Sequence, residues 1–409
     1  MTSARRPVNP FRVLVTHANF RRFWIGQTLS LIGTWMQSMA IGWLALDLSN
    51  SAFIVGLVVA CSALPILLFS LYAGVIVDHS DKLRLVRLAQ AMLLVEAALL
   101  WWFTWRGHIN IPGLIALAIF GGVITSFEIP ARQSLMIDLV GRDDLRNAIA
   151  LNSSGFNLAR IFGPAIAAAI IARWGIAWCF GVNAASYLTV LVGLALIELP
   201  PRAAEPPAHS PWEGMWAGVA YVRGERRLRG LVETISVFAI LCTPTLALMP
   251  VMARDQLGLG ASGYGLLLSA VGIGGLLGAL GLAASSPRLR RGLLLVRSQY
   301  VLAVLIGLLS LARHPGVAYP LLLGTGCVLI VNSALGNTLM QSIVPDDFRG
   351  RLMSIYSLIV VGLPQVIGAF AAGGVARMVG ISWTLGGTAV LMLLYGQWAF
   401  RRYPELARL

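Results

Sequence analysis

Three ionisable side chains, Glu96, Glu128 and Arg160, fall inside long apolar runs, with Glu233 near the edge of another. A charge at bilayer depth is costly unless paired or hydrated, so such positions are functional candidates by default. Counted from a turn at Gly141, Glu128 lies about 18 Å up one run and Arg160 about 25 Å up the next, at 1.5 Å per helical residue. Helical side chains lean toward their own N-terminus, so on oppositely directed helices these two lean toward each other. The expectation is a buried ion pair, either permanent or opened by a proton arriving on Glu128. Glu96 has no opposite charge in its own run and reads as a satisfied structural acid or a proton carrier.

Around these charges are hydrogen-bonding groups set beside aromatics. Gln27, Thr34, Trp35, Gln37 and Ser38 share one run, and Asn332, Asn337 and Gln341 share another. That mixture suits a cavity for a small amphipathic ligand; bonding between helices is the competing reading. An enzymatic site finds little support. His17, His79, His108, His209 and His314 all fall between runs, no nucleophile sits beside a base, and no phosphate-cradling Gly-Lys loop is present. No cofactor is therefore expected.

The elements that must position these groups follow from composition. Of 409 residues 57% are hydrophobic and 12% charged, a balance that excludes a water-soluble domain of this size. Spans are expected near 20–45, 52–77, 84–105, 111–137, 148–172, 176–198, 231–252, 263–284, 292–312, 317–341, 353–376 and 380–400. None alternates apolar with polar residues as barrel strands do. The fold class is thus an all-α membrane protein of twelve transmembrane helices. The net charge of +14 does not mark a nucleic-acid surface, because the basic residues are spread over alternate loops. On one side of the map lie 25 of the 31 Lys and Arg, on the other only Arg106, Arg173, Arg254, Arg313 and Arg377, with Arg160 inside a span. The positive-inside rule then places both termini in the cytoplasm. Nothing near residues 1–19 looks like a removable signal peptide. Cys61, Cys179, Cys242 and Cys327 all fall within spans and are expected to pack there.

Residues 199–230, rich in Pro and Arg, read as a cytoplasmic linker between a six-helix half at 1–198 and another at 231–409. Trp212, Trp216, Ala220 and Tyr221 recur there at helical spacing, which fits either an amphipathic surface helix or a plain connector. The segment Val140-Gly-Arg-Asp-Asp-Leu-Arg before span five is echoed by Val344-Pro-Asp-Asp-Phe-Arg before span eleven, and Pro164 and Pro364 follow. The halves are therefore parallel repeats. In each echo the Asp pair is expected to cap the helix behind it. Gly272, Gly274, Gly275, Gly278 and Gly281 in span eight have the spacing for close helix contact.

The loop after span two reads Gly74-Val-Ile-Val-Asp78-His79-Ser80-Asp81-Lys82-Leu83-Arg84. It resembles the Gly-x-x-x-Asp-Arg-x-Gly-Arg-Arg signature of the major facilitator superfamily. Gly74, Asp78, Lys82 and Arg84 keep the pattern, while His79, Asp81 and Leu83 depart from it. Gly155, Arg160 and Gly163-Pro164 resemble the Gly-Pro signature of drug:proton antiporters, with Ala167-Ala168 where that pattern has two glycines. Gly33-Thr-Trp-Met-Gln-Ser and Pro130-Ala-Arg-Gln-Ser-Leu are similar to the bacterial branch holding the enterobactin exporter and macrolide-efflux proteins. The resemblance implies a monomeric inner-membrane transporter that works by alternating access, with the signature loop as a latch on one state. It further implies proton-driven export of small amphipathic, drug-like or siderophore-like molecules. Uptake symport, lipid translocation and a non-transporting receptor or scaffold are the alternatives.

Overall fold

An apolar segment in lipid can satisfy its backbone N–H and C=O groups only within itself, so each long run must be helical. The computed structural model describes residues 11–199, 211–285, 290–344, 356, 358 and 362–408, and the described residues contain no strand. Its spans begin with α1 Ala18–Ser49, α2 Ala52–Asp78 and α3 Lys82–Trp105. A continuous run, Ile111–Trp174, holds α4 (111–140) and α5 (142–174). Then come α6 Ala177–Ala195, α7 Arg226–Ala247, α8 Ala261–Ala283, α9 Arg291–Leu311 and α10 Pro315–Ile343. The eleventh span, α11, is described as a π-helical turn Pro364–Gly368 and the helix Ala369–Val379; α12 is Ile381–Arg402. Twelve spans result, as expected. Most of the expected start of the eleventh, residues 353–361, and the echo after Val344 lie outside the described residues.

Local chemistry sets the boundaries. The Asp81 carboxylate accepts the Arg84 backbone N–H at 3.1 Å and opens α3, and Asn110 accepts that of Gly113 at 2.9 Å and opens α4. Gly141, at φ 72° and ψ 174°, breaks the 64-residue run into two spans, a conformation only glycine adopts cheaply. The expected cap by the Asp pair is not made through Asp144. Its carboxylate instead lies 2.9 Å from His17 Nε2, which docks the short helix Arg12–Thr16 against this turn. After residue 199 a helix, Pro211–Gly224, precedes α7, with Trp216 exposed and Tyr221 packed against a core cluster that includes Val222 and Leu228. The seventh span begins at Arg226, five residues before its expected start. Cys179 and Cys242 are buried, Cys61 and Cys327 half-buried, and all four are free thiols.

Two seams join the first six spans to the last six. Gly56 of α2 lies against Ala369 and Gly373 of α11, and Gly265 of α8 against Pro164 and Ala168 of α5. Ser262 Oγ donates to the Ala168 carbonyl and Ser269 Oγ to the Ile161 carbonyl, each at 3.0 Å. Arg254 donates to Asn50 Oδ1 at 2.8 Å, and Trp43 stacks on Tyr264 with ring centroids 6.0 Å apart. All these contacts lie in the half of the bundle opposite the termini.

The α8 glycines divide between two neighbours. Gly272 and Gly275 face α5, while Gly274 and Gly278 face Leu323 and Cys327 of α10; Gly281 faces open space. A Cβ at Gly274 would run into the Leu323 carbonyl. Gly274→Val is therefore expected to cost about 1–3 kcal/mol through overpacking, seen as a lower unfolding temperature in detergent. Gly281→Val is expected to leave that temperature unchanged.

Candidate functional site

A polar side chain inside lipid must find a partner on a neighbouring helix. Near mid-depth α1, α3 and α6 supply these partners to one another. Gln37 of α1 donates through Nε2 to both carboxylate oxygens of Glu96 of α3, at 2.8 and 3.2 Å. Asn183 of α6 donates to Gln37 Oε1 at 2.8 Å, and Ser186 Oγ donates to Asn183 Oδ1 at 3.0 Å. One turn along, Thr34 Oγ1 and Tyr187 OH stand 3.3 Å apart. Small residues make the room: Gly33 faces Asn183 and Ser186, and Gly121 of α4 faces the Glu96 carboxylate. Glu96 is 2% exposed. It makes no ion pair among the described residues.

The row of partners runs from buried to open. Thr34 and Ser38, four residues apart and so on one face of α1, are exposed, while Gln37, Asn183 and Tyr187 are buried. Glu96 thus ends a chain of hydrogen-bonding groups whose other end reaches an open helix face.

Glu128 and Arg160 do not form the expected pair. Glu128 Oε1 lies 2.8 Å from Arg132 Nε and accepts from Gln90 Nε2 at 3.2 Å. The reason is spacing: Arg132 is four residues along the same helix, so it is the nearer cation. Arg160 reaches across the seam instead, laying its guanidinium over the bare backbone of Gly275 in α8. Its Nε is buried with no partner. Glu233 sits at the terminal end of α7 with Tyr403 OH at 2.7 Å and Arg229 at 3.8 Å, outside the mid-depth group.

The other expected residues are dispersed. Gln27 is buried with its Oε1 unpartnered, and Trp35 packs edge-on against Phe156 at 5.6 Å. Asn332 Nδ2 donates to Ser298 Oγ of α9 at 3.0 Å, a helix-to-helix bond. Asn337 and Gln341 bond each other at the terminal end of α10. Gly163 and Pro164 pack against Trp35 and Gly265. In the signature loop Lys82 Nζ is 3.6 Å from Asp138 at the end of α4, Arg84 is exposed, and among the described residues none lies within 4 Å of where a Gly74 Cβ would stand; Asp78 closes α2. Sequence reasoning missed Gln90, Asn183, Ser186 and Tyr187. Amides buried in apolar runs were the available signal for the first two.

A separate cavity of 760 Å³ opens at the end opposite the termini and is lined in part by Asn50, Asp255, Arg313, Arg377 and Trp383. It lies outside the mid-depth network.

A helical bundle in two seamed sets of six, with a buried acid and partners between helices, matches one known family over residues 7–405, described as transmembrane secretion effector. The chain belongs to this family of the major facilitator superfamily. The transporter is 25% identical over 402 residues to the Enterobactin exporter EntS of Shigella flexneri, covering 96% of this chain and 95% of that one. In fold it is similar to the nucleoside transporter NupG (TM-score 0.78, 10% identity, 94% of this chain and 99% of that one). It is also similar to a bacterial homologue of the human lysosomal transporter Spinster in an inward-facing, unoccupied conformation (TM-score 0.74, 14% identity, 99% of each chain). It is a multi-pass membrane protein and a secondary transporter.

Proposed function

We propose that the transporter exports small amphipathic, siderophore-like molecules across a bacterial inner membrane in exchange for protons, and that Glu96 carries the proton. The observation behind this reading is the contrast between its two buried acids. Glu128 lies 2.8 Å from Arg132, so a proton arriving there must break a buried ion pair. Among the described residues Glu96 is held by the Gln37 amide, whose NH₂ donates to a carboxylate and equally to the carbonyl oxygen of a protonated acid while its own carbonyl stays on Asn183. Glu96 therefore changes protonation state without orphaning a cation. The enterobactin-exporter relatives support the substrate class and direction. No bound cofactor is needed, because the proton gradient supplies the energy.

Inverted membrane vesicles test the reading, with enterobactin as probe. An acid interior is expected to drive accumulation and a protonophore to abolish it. Accumulation only in right-side-out vesicles would favour an uptake symporter, and no proton or ligand movement in either would favour a receptor or scaffold.

The reading also sets orientation, with both termini in the cytoplasm. Reporter fusions after residue 205 and after Arg408 are expected to report cytoplasm, and one at His108 periplasm; a periplasmic C-terminus would overturn the map. Both seams then close at the periplasmic end, and the signature loop at Gly74 lies at the cytoplasmic end. Closure of that end in the opposite state would bring the α2 surface at Gly74 against its neighbour. Gly74→Val is expected to leave detergent stability unchanged and to reduce transport tenfold or more. Normal flux in that variant would remove the loop from the cycle.

A further inference from the structure

We infer that Arg160 is an anion-recognition site, and that the transporter selects amphipathic molecules carrying a carboxylate or similar planar oxyanion; this rests on the transport reading above. Along the α5–α8 seam the contacts run from Ser262 on Ala168, through Gly265 on Pro164 and Ser269 on Ile161, to Gly272 on the Arg160 backbone. The guanidinium over Gly275 is the last of them. Farther toward the termini Ser153, Ser154 and Phe156 of α5 are exposed, and Gly281 of α8 faces open space. Arg160 thus stands at the point where the two sets of six helices part.

Among the described residues it has no carboxylate and no hydrogen-bond partner, and its Nε is buried. A half-buried guanidinium whose Nε is buried with no partner among the described residues is costly, and a planar oxyanion accepts two guanidinium N–H groups at once. The neighbouring surface supplies the apolar part of such a ligand. Phe156 lies four residues back on the same helix face and is exposed, with Trp35 packed edge-on behind it. The seam depends on glycine here, since a Cβ at Gly275 would displace the guanidinium.

The test uses two probes that differ only in charge, dansylglycine and its neutral amide, titrated against the purified full-length protein by energy transfer from tryptophan. Wild type is expected to bind the carboxylate about ten- to a hundredfold more tightly than the amide, the range for a hydrogen bond to a charged group. Arg160→Gln is expected to erase that preference and Arg160→Lys to retain most of it. Equal binding of the two probes by wild type, or a preference that survives in Arg160→Gln, overturns the assignment; the first needs no variant to fold. Displacement of dansylglycine by phosphatidylglycerol tenfold better than by phosphatidylcholine would assign the site to a lipid headgroup and overturn the small-molecule claim. Binding is read without flux. A wild type that binds the carboxylate but moves neither enterobactin nor dansylglycine in vesicles would refute the transport reading and leave the binding assignment standing.

Discussion

Glu96→Gln is expected to abolish proton-driven accumulation of substrate while leaving substrate-for-substrate exchange near the wild-type rate. The amide keeps the size of the acid and its bond to Gln37, so the α1–α3–α6 contact survives. It cannot take up or release a proton. A carrier locked in one protonation form equilibrates substrate down its own gradient and cannot push it uphill. The split between two fluxes separates this role from a structural one, because a packing defect lowers both. Proteoliposomes with and without an imposed pH gradient measure it. Gradient-driven accumulation unchanged from wild type would remove Glu96 as the carrier.

The second large effect is on stability. Arg132→Ala strands the Glu128 carboxylate, 5% exposed, with the Gln90 amide as its one remaining partner among the described residues. Removing one member of a buried pair costs about 3–5 kcal/mol, because the remaining charge has no compensation. Arg132→Ala is expected to unfold at a far lower temperature, and Arg132→Ala with Glu128→Gln to recover much of the loss. Recovery is the informative result, since it assigns the loss to the orphaned charge and not to lost packing of the Arg132 stem. A double variant as unstable as the single one would sink the account of this pair.

What could be read without the structure follows from the reach of each rule. Span positions came out within a few residues where a cap marks them, as at Asp81 and Asn110, because lipid forces the helix and local chemistry ends it, whereas the helix after Gly141 starts six residues before its expected position. The close contacts of Gly272, Gly274, Gly275 and Gly278 were legible in the same way, although their division between α5 and α8's other neighbour α10 was not. Side-chain partners depend on the rotation of each helix about its axis, which a single sequence leaves open. Depth and lean suggested Glu128 with Arg160, yet the i,i+4 spacing of Glu128 and Arg132 decided otherwise. Glu96 looked isolated because its partners, Gln37 and behind it Asn183, come from helices 59 and 146 residues apart from their acceptors in the chain. Asp144 was read as a helix cap because the docking of His17 against it is a tertiary event.

The most direct test of proton exchange through Glu96 is proton movement itself. Purified protein is reconstituted with a pH-sensitive dye trapped inside the vesicles, and enterobactin is added on one side with no other gradient imposed. The account predicts that inward enterobactin flow drives protons out through wild type, with no proton movement above background through Glu96→Gln. The same proton flux in Glu96→Gln as in wild type would contradict it.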